Sequence, residues 1–313
     1  MSWRTLIINK SKKINVKNNN ICVTDSEGKE ILFAFTEINS IIFENNYTLV
    51  SCNLLAKICQ YNIFAVFCDE IYEPRGLLLS MSNHFQPYAV LNMQLKITAD
   101  LKEKLWKEII KKKIWNSSIV LENVTDFFEV VLILQKYSNE VINGDLTNRE
   151  GLSAKVFFRT LYGSAFIRQT DDLINSALNY GYKILVSCIS RTLVKYGLIL
   201  HLGIHHIGKT NPYNLSYDFI EPLRPLVDYW VTKNLYTLDG KLTYNQRISL
   251  IKLLDEKVEI DGRIMNVNNA INYMIKSFIS CLKDQDENLL KLPSLLLKDS
   301  NNNDEEELNS EGE

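Results

Sequence analysis

No two cysteines stand at zinc-ligand spacing: Cys22, Cys52, Cys59, Cys68, Cys188 and Cys281 are scattered, with no CxxC pair among them. A zinc-finger type of site is therefore excluded, and most of the six are expected to be buried thiols. The N-terminal MSWRTLIINKSKK lacks the apolar core and small-residue cleavage site of a secretory signal. No run of about 18 apolar residues exists to cross a membrane. A reducing, cytoplasmic setting without membrane attachment is the resulting expectation. Internal repeats are absent too, and a chain 46% hydrophobic and 23% charged is neither disordered nor fibrous in composition.

Basic charge is missing from the C-terminal end. The last thirteen residues carry six acids and no base; without them 31 acids face 35 bases, a net of +4. The body is thus mildly basic, which is compatible with nucleic acid without demanding it, and residues 291–313 read as a solvated acidic tail. A length of 313 residues suggests two domains of moderate size.

Residues 1–80 contain short β-branched and aromatic runs (TLIIN, KINVK, NICVTD, ILFAF, INSIIF) separated by turns such as Lys17–Asn20 and Asp25–Gly28, the pattern of strands and hairpins. One helical interruption is expected over Thr48–Gln60, before another buried strand, IFAVFCD. The pattern breaks near Glu73–Gly76 and again over Ser80–Pro87, where His84 stands alone, so residues 81–96 read as a linker. From 97 to 290 apolar residues recur at helical period, and an all-α domain is expected. The fold class is therefore α+β: a small β-rich domain with one helix, then a larger helical domain.

Three of four histidines, His201, His205 and His206, precede Asp218 and Glu221 in the stretch 201–228. Imidazole with carboxylate suggests a divalent ion that could activate an oxygen and stabilise phosphoryl charge. The two acids, three residues apart, share a helix face. The bland readings are capping for Asp218, pairing with Arg224 for Glu221, and a satisfied core position for His201. Adjacent His205 and His206 diverge on regular structure, so one of the two should face the acids. Upstream, Glu150 opens a helix, where an acid is favoured electrostatically. In Arg168–Leu185, Asp171 or Asp172 caps, Gly181 permits close helix approach, and Asn175 satisfies a neighbouring backbone. Lys96, Lys102, Lys104, Lys107, Lys111, Lys112 and Lys113 accompany the apolar stripe of Leu95–Trp115 as either a solvated face or a phosphate-tracking surface.

These residues resemble the CRISPR-associated spacer-acquisition integrase and endonuclease family. The match runs through Glu150; the D-x-x-N-x-x-L-x-Y-G-Y stretch Asp172–Tyr182; Gly197-Leu198 followed by Gly203-Ile204-His205-His206; and Asp218-Phe-Ile-Glu221-Pro222-Leu-Arg224-Pro225. Many relatives have aspartate at the position of Glu221, and the glutamate fits the branch found with type II systems. Many also have Asp-Pro where this chain has Ile199-Leu200.

The resemblance implies Mg²⁺ or Mn²⁺ held by the catalytic residues Glu150, His206 and Glu221, with Asp218, His205, Asn175 and Arg224 around them. It implies DNA contacts from Lys209, Arg168, Lys111 and Lys112. The activity implied is joining of the 3′-OH ends of captured DNA fragments to the CRISPR repeat by transesterification. The implied partners are double-stranded DNA, a second copy paired through the N-terminal domain, a small companion adaptation protein, and the type II effector nuclease. Two other readings stand beside it: a metal-dependent nuclease on branched or repair DNA, and a non-catalytic DNA-binding scaffold.

Overall fold

Asn18 and Asn19, at φ of 50° and 55°, turn the chain between β2 (Lys13–Lys17) and β3 (Asn20–Thr24), because Asn tolerates the left-handed region that a two-residue hairpin needs. In the computed structural model, which describes residues 4–70, 72, 74–78, 80, 86–168, 170 and 172–297, this hairpin belongs to the first of two N-terminal sheets. β4 (Glu30–Phe33) extends it on one side, and β6 (Leu49–Val50) pairs parallel to β2 on the other. The second sheet has the order β1 (Arg4–Ile8), β5 (Ile38–Phe43), β7 (Phe64–Cys68), β8 (Pro74–Leu78), with only the last pair antiparallel.

The expected helix over 48–60 is shorter. α1 runs Cys52–Gln60 because the Ser51 side chain accepts from Leu54 N and starts it there, leaving Leu49 and Val50 to pair as a strand.

The parallel strands read as unbroken apolar runs because both faces of their sheet are buried. Ile41 and Ala65 join Ile8, Ile14, Leu54 and Ile58 in a small core beneath α1. On the opposite face Ile42, Phe64, Val66 and Cys68 belong to the main core with the helices. A buried ion pair pins the two halves: Arg247 Nε and Nη2 donate to Glu44 at 2.7 and 3.0 Å, and the Tyr180 hydroxyl reaches the same carboxylate.

The helices are α2 (Pro87–Leu95), α3 (Ala99–Val124), α4 (Phe128–Asn139), α5 (Arg149–Tyr162), α6 (Leu173–Lys195), α7 (Asn214–Ile220), α8 (Arg224–Lys233), α9 (Tyr244–Lys252) and α10 (Val267–Asp284). Side chains of Thr98, Asp172, Thr243 and Asn266 cap α3, α6, α9 and α10. Asp171, the other expected cap, lies outside the described residues.

Three expectations are corrected. The linker 81–96 contains α2, begun by Pro87 at its first turn and anchored by buried Val90 and Gln94; His84 lies outside the described residues. The helical region is not all-α, since β9 (Lys257–Ile260) and β10 (Arg263–Asn266) form a hairpin on which β11 (Ser294–Leu295) pairs. Residues 291–297 are consequently not free tail: Leu295 is buried, and Asn116 accepts from its N–H. The acidic residues from 304 onward lie outside the described part. Among the described residues no helix is long and apolar enough to cross a membrane. All six thiols are free, and four are buried.

Candidate functional site

α3 is the spine of the site. Its buried register Leu105, Trp106, Ile109 and Ile110 continues at helical spacing into Lys113, so one face of the helix meets the histidine loop near Trp106 and the acids near Lys113. The His205 ring stacks flat on Trp106 with centroids 4.1 Å apart, and the His206 ring meets Trp106 edge-on at 5.7 Å. Lys102 Nζ donates to Gly203 O at 3.2 Å.

Asp218, fully buried on α7, organises the loop. Its carboxylate accepts from the backbone N–H of Ile204 (2.5 Å), His205 (3.3 Å) and His206 (3.0 Å), and it hydrogen-bonds His206 Nδ1 at 2.8 Å. The expected capping role is thus played towards a loop rather than a helix end. Gly203 is required here, because a Cβ would lie 2.1 Å from His206 O and 2.9 Å from Asp218 Oδ2. Burial lowers the His206 pKa, but the hydrogen bond and charge of Asp218, with the charge of Glu221, outweigh it and leave the ring raised. With Nδ1 turned to Asp218, Nε2 is the nitrogen left for a ligand.

Glu150 stands in the first turn of α5, where Asp145 accepts from the N–H groups of Arg149 (2.8 Å) and Glu150 (2.9 Å) and Asn148 caps. Glu221 follows α7 in a short 3-10 turn, Glu221–Leu223. Lys113 Nζ lies between these acids, 2.6 Å from Glu150 Oε1 and 2.5 Å from Glu221 Oε2, while Arg224 Nε donates to Glu221 Oε1 at 2.8 Å. Burial raises the Glu221 pKa, yet Arg224 and Lys113 together hold it down at about 2. Buried Glu221 Oε2 nevertheless has no partner in good hydrogen-bond geometry.

Glu150, His206, Glu221, Arg168 and Arg224 line one cavity of about 250 Å³, with Lys113 and Asp228 in the same wall. Arg168 donates to Asn175 Oδ1 at 2.7 Å and to Asn179 Oδ1 at 2.9 Å. Asn175 in turn donates to Ile167 O and Asp172, so it supports the cavity from behind. Asp228 accepts from the Tyr182 hydroxyl. Desolvation pushes this carboxyl up to about 7, although Tyr182 and the charges of Arg224 and Arg168 pull the other way.

As they stand, no three His, Cys, Asp or Glu side chains among the described residues converge tightly enough to hold an ion. The donor chemistry still fits one, since two carboxylates and an imidazole oriented by a third carboxylate face one cavity.

Other expected site residues fall elsewhere. His201 is exposed rather than a core histidine, because the turn carrying it is at the surface, where its carbonyl accepts from Asn214. Lys111 and Lys112 line a separate cavity with Trp115 and Asp261, and Lys112 Nζ donates to Ser294 Oγ at 2.7 Å. Lys112 is therefore engaged in holding the C-terminal strand. Lys209 is exposed just beyond the histidine loop. Lys113, expected with its neighbours on a solvated or phosphate-tracking face, instead pairs with the two glutamates, and Trp106, Asp145 and Asp228 were not expected at the site. Only Lys113 and Trp106 left a signal, polar or aromatic residues falling in the buried register of α3.

The profile of the family described as CRISPR associated protein Cas1 matches residues 6–238. The chain is 33% identical to the CRISPR-associated endonuclease Cas1 of Neisseria meningitidis over 299 residues, covering 95% of this chain and 97% of that one. It is 24% identical to a CRISPR-associated endonuclease Cas1 of Saccharolobus solfataricus, over 90% and 92% of the two chains. In fold it is similar to a casposase bound to an integration product (TM-score 0.73, 19% identity, 91% and 92% covered). It is also similar to a Cas1 protein of Thermotoga maritima (TM-score 0.68, 14% identity, 90% and 97% covered). With three quarters of its length inside the family profile and a relative matched nearly end to end, the chain belongs to the Cas1 family of CRISPR-associated proteins.

Proposed function

We propose that this protein is a divalent-metal-dependent DNA integrase and endonuclease of CRISPR adaptation. The observation that carries the reading is the meeting of Glu150, His206 and Glu221, from three separate segments, in one cavity whose wall also holds Arg168 and Arg224. The Neisseria relative is named an endonuclease and the casposase was solved with an integration product, which is the chemistry this donor set suits.

Glu150, His206 and Glu221 would hold Mg²⁺ or Mn²⁺, imidazole favouring the latter. When bound, the ion supplies Lewis-acid stabilisation of phosphoryl charge and acidifies the attacking hydroxyl. Asp218 keeps His206 in the tautomer that presents Nε2. The guanidinium of Arg224, fixed by Glu221 and lying 4.6 Å from the Tyr182 ring centroid, and that of Arg168 orient a phosphodiester by charge-assisted hydrogen bonds. The 3′-oxygen of a DNA fragment attacks the repeat phosphorus in line, a new P–O bond forms, and the old 3′-oxygen leaves with a proton. Water in place of that hydroxyl gives endonuclease cleavage.

Assembly follows the same reading. A second copy and a small companion adaptation protein complete the complex on double-stranded DNA, and the type II effector nuclease is a further partner; a chain similar in fold was solved in a Cas6-RT-Cas1–Cas2 complex.

The test is strand joining in Mg²⁺ or Mn²⁺ with fragments ending in 3′-OH or 3′-deoxy. Joining is expected only with the hydroxyl, and is expected to be lost in Glu150→Ala, His206→Ala and Glu221→Ala while DNA binding persists. Full joining by the His206→Ala protein would remove His206 from the site, and DNA binding without any joining by the wild-type protein would leave a DNA-binding scaffold as the better reading.

A further inference from the structure

We propose that Lys113 is a built-in cation occupying the seat of the divalent ion, and that the ion enters by displacing this ammonium towards Asp228. The inference rests on the metal reading above and concerns how the ion gets in.

Two carboxylates facing one cavity repel each other unless a cation stands between them. Here that cation is Lys113 Nζ, within 2.6 Å of Glu150 Oε1 and Glu221 Oε2. An ion bridging the same two oxygens needs the same space, so ammonium and metal exclude one another. This accounts for a set of suitable donors that do not converge as a ligand cluster. Of the cations around the cavity, Lys113 is the one built to move. Arg224 is clamped by Glu221 and lies against Tyr182, and Arg168 is held by Asn175 and Asn179. A lysine swings a compact charge on a flexible four-carbon stem, whereas a guanidinium is a planar fork.

The destination is on the same wall. Asp228 is 3% exposed and lines the cavity, and among the described residues it has no lysine or arginine in ion-pair contact, only the Tyr182 hydroxyl at Oδ1. A displaced Lys113 thus finds a carboxylate without leaving the cavity, and a buried ammonium is never left unpaired, which would be prohibitive.

The experiment measures Mn²⁺ affinity of the full-length protein by calorimetry and by loss of the free Mn²⁺ EPR signal. Lys113→Met removes the competitor and should tighten binding at least tenfold. Asp228→Asn removes the receiving group and should weaken binding several-fold in the wild-type background but not in Lys113→Met. Unchanged or weaker Mn²⁺ binding by folded Lys113→Met overturns the proposal, and an equal effect of Asp228→Asn in both backgrounds overturns the destination. Should Lys113→Met fail to fold, Lys113→Arg carries the test: the charge is kept, so affinity should be no tighter than wild type, and tighter binding refutes exchange. If His206→Ala binds Mn²⁺ as tightly as wild type, or if neither wild type nor Lys113→Met binds it at all, the metal reading itself falls.

Discussion

Asp228→Asn should stabilise the protein at neutral pH and leave it unchanged in acid. The carboxyl is buried and desolvation lifts it to about 7 from an ordinary 3.8, so between those values the folded chain holds a proton that the unfolded chain has lost. A raised folded-state pKa gives stability that is complete below pH 3.8 and is lost as pH climbs through 7. At 1.36 kcal/mol for each pH step, the loss amounts to about 4 kcal/mol by pH 7.5. Asparagine preserves an acceptor for the Tyr182 hydroxyl and carries no charge, so the variant escapes that loss. Glu221, held at about 2, acts in the opposite sense and loses its contribution below pH 4.5, but it does so in both proteins. The assay is urea unfolding followed by tryptophan fluorescence between pH 4 and 8. The two midpoints should coincide near pH 4 and separate, the variant higher, by roughly 1 M at pH 7.5. A midpoint difference that does not change with pH would refute the desolvated-carboxyl argument.

Gly181→Ala puts a Cβ 2.5 Å from Val227 Cγ1 and 3.2 Å from Leu250 Cδ2; it should cost about 1–3 kcal/mol by overpacking, and most of that should return in the double variant with Val227→Ala, read by thermal unfolding. Gly203→Ala should lower metal-dependent strand joining by about 10- to 100-fold by pushing the His206 backbone away, with weaker Mn²⁺ binding in parallel; unaltered Mn²⁺ affinity would contradict the role given to that glycine.

Local chemistry was what the sequence displayed best. The Asn18–Asn19 turn, the doubly buried INSIIF strand, the Asp172 cap and the close approach at Gly181 are each decided within a few residues. What escaped depended on distant partners. Ser294 and Leu295 form a strand only because the β9 edge lies beside them, and nothing in LPSLLL reports that edge. His201 has apolar neighbours in sequence yet faces solvent, since the stretch around it is a surface turn rather than part of a buried helix.

The same distinction explains the site. Glu150, His206 and Glu221 are ordinary residues in their own segments, and Lys113 looks like one more cation in a basic helix. A side chain's role is set by which face of its helix it leaves, however, and α3 carries its lysines on different faces: Lys112 reaches Ser294, while Lys113 follows the buried register down from Trp106 and Ile109 to the two glutamates. A residue-by-residue count of charge therefore assigns neighbouring lysines the same role, whereas 100° of helical rotation gives one to the C-terminal strand and the other to the acids. A charged residue lying in an apolar helical register is the signature to look for: desolvation of a charge is tolerated only where opposite charge awaits it, so Lys113 itself implies a buried acidic cluster.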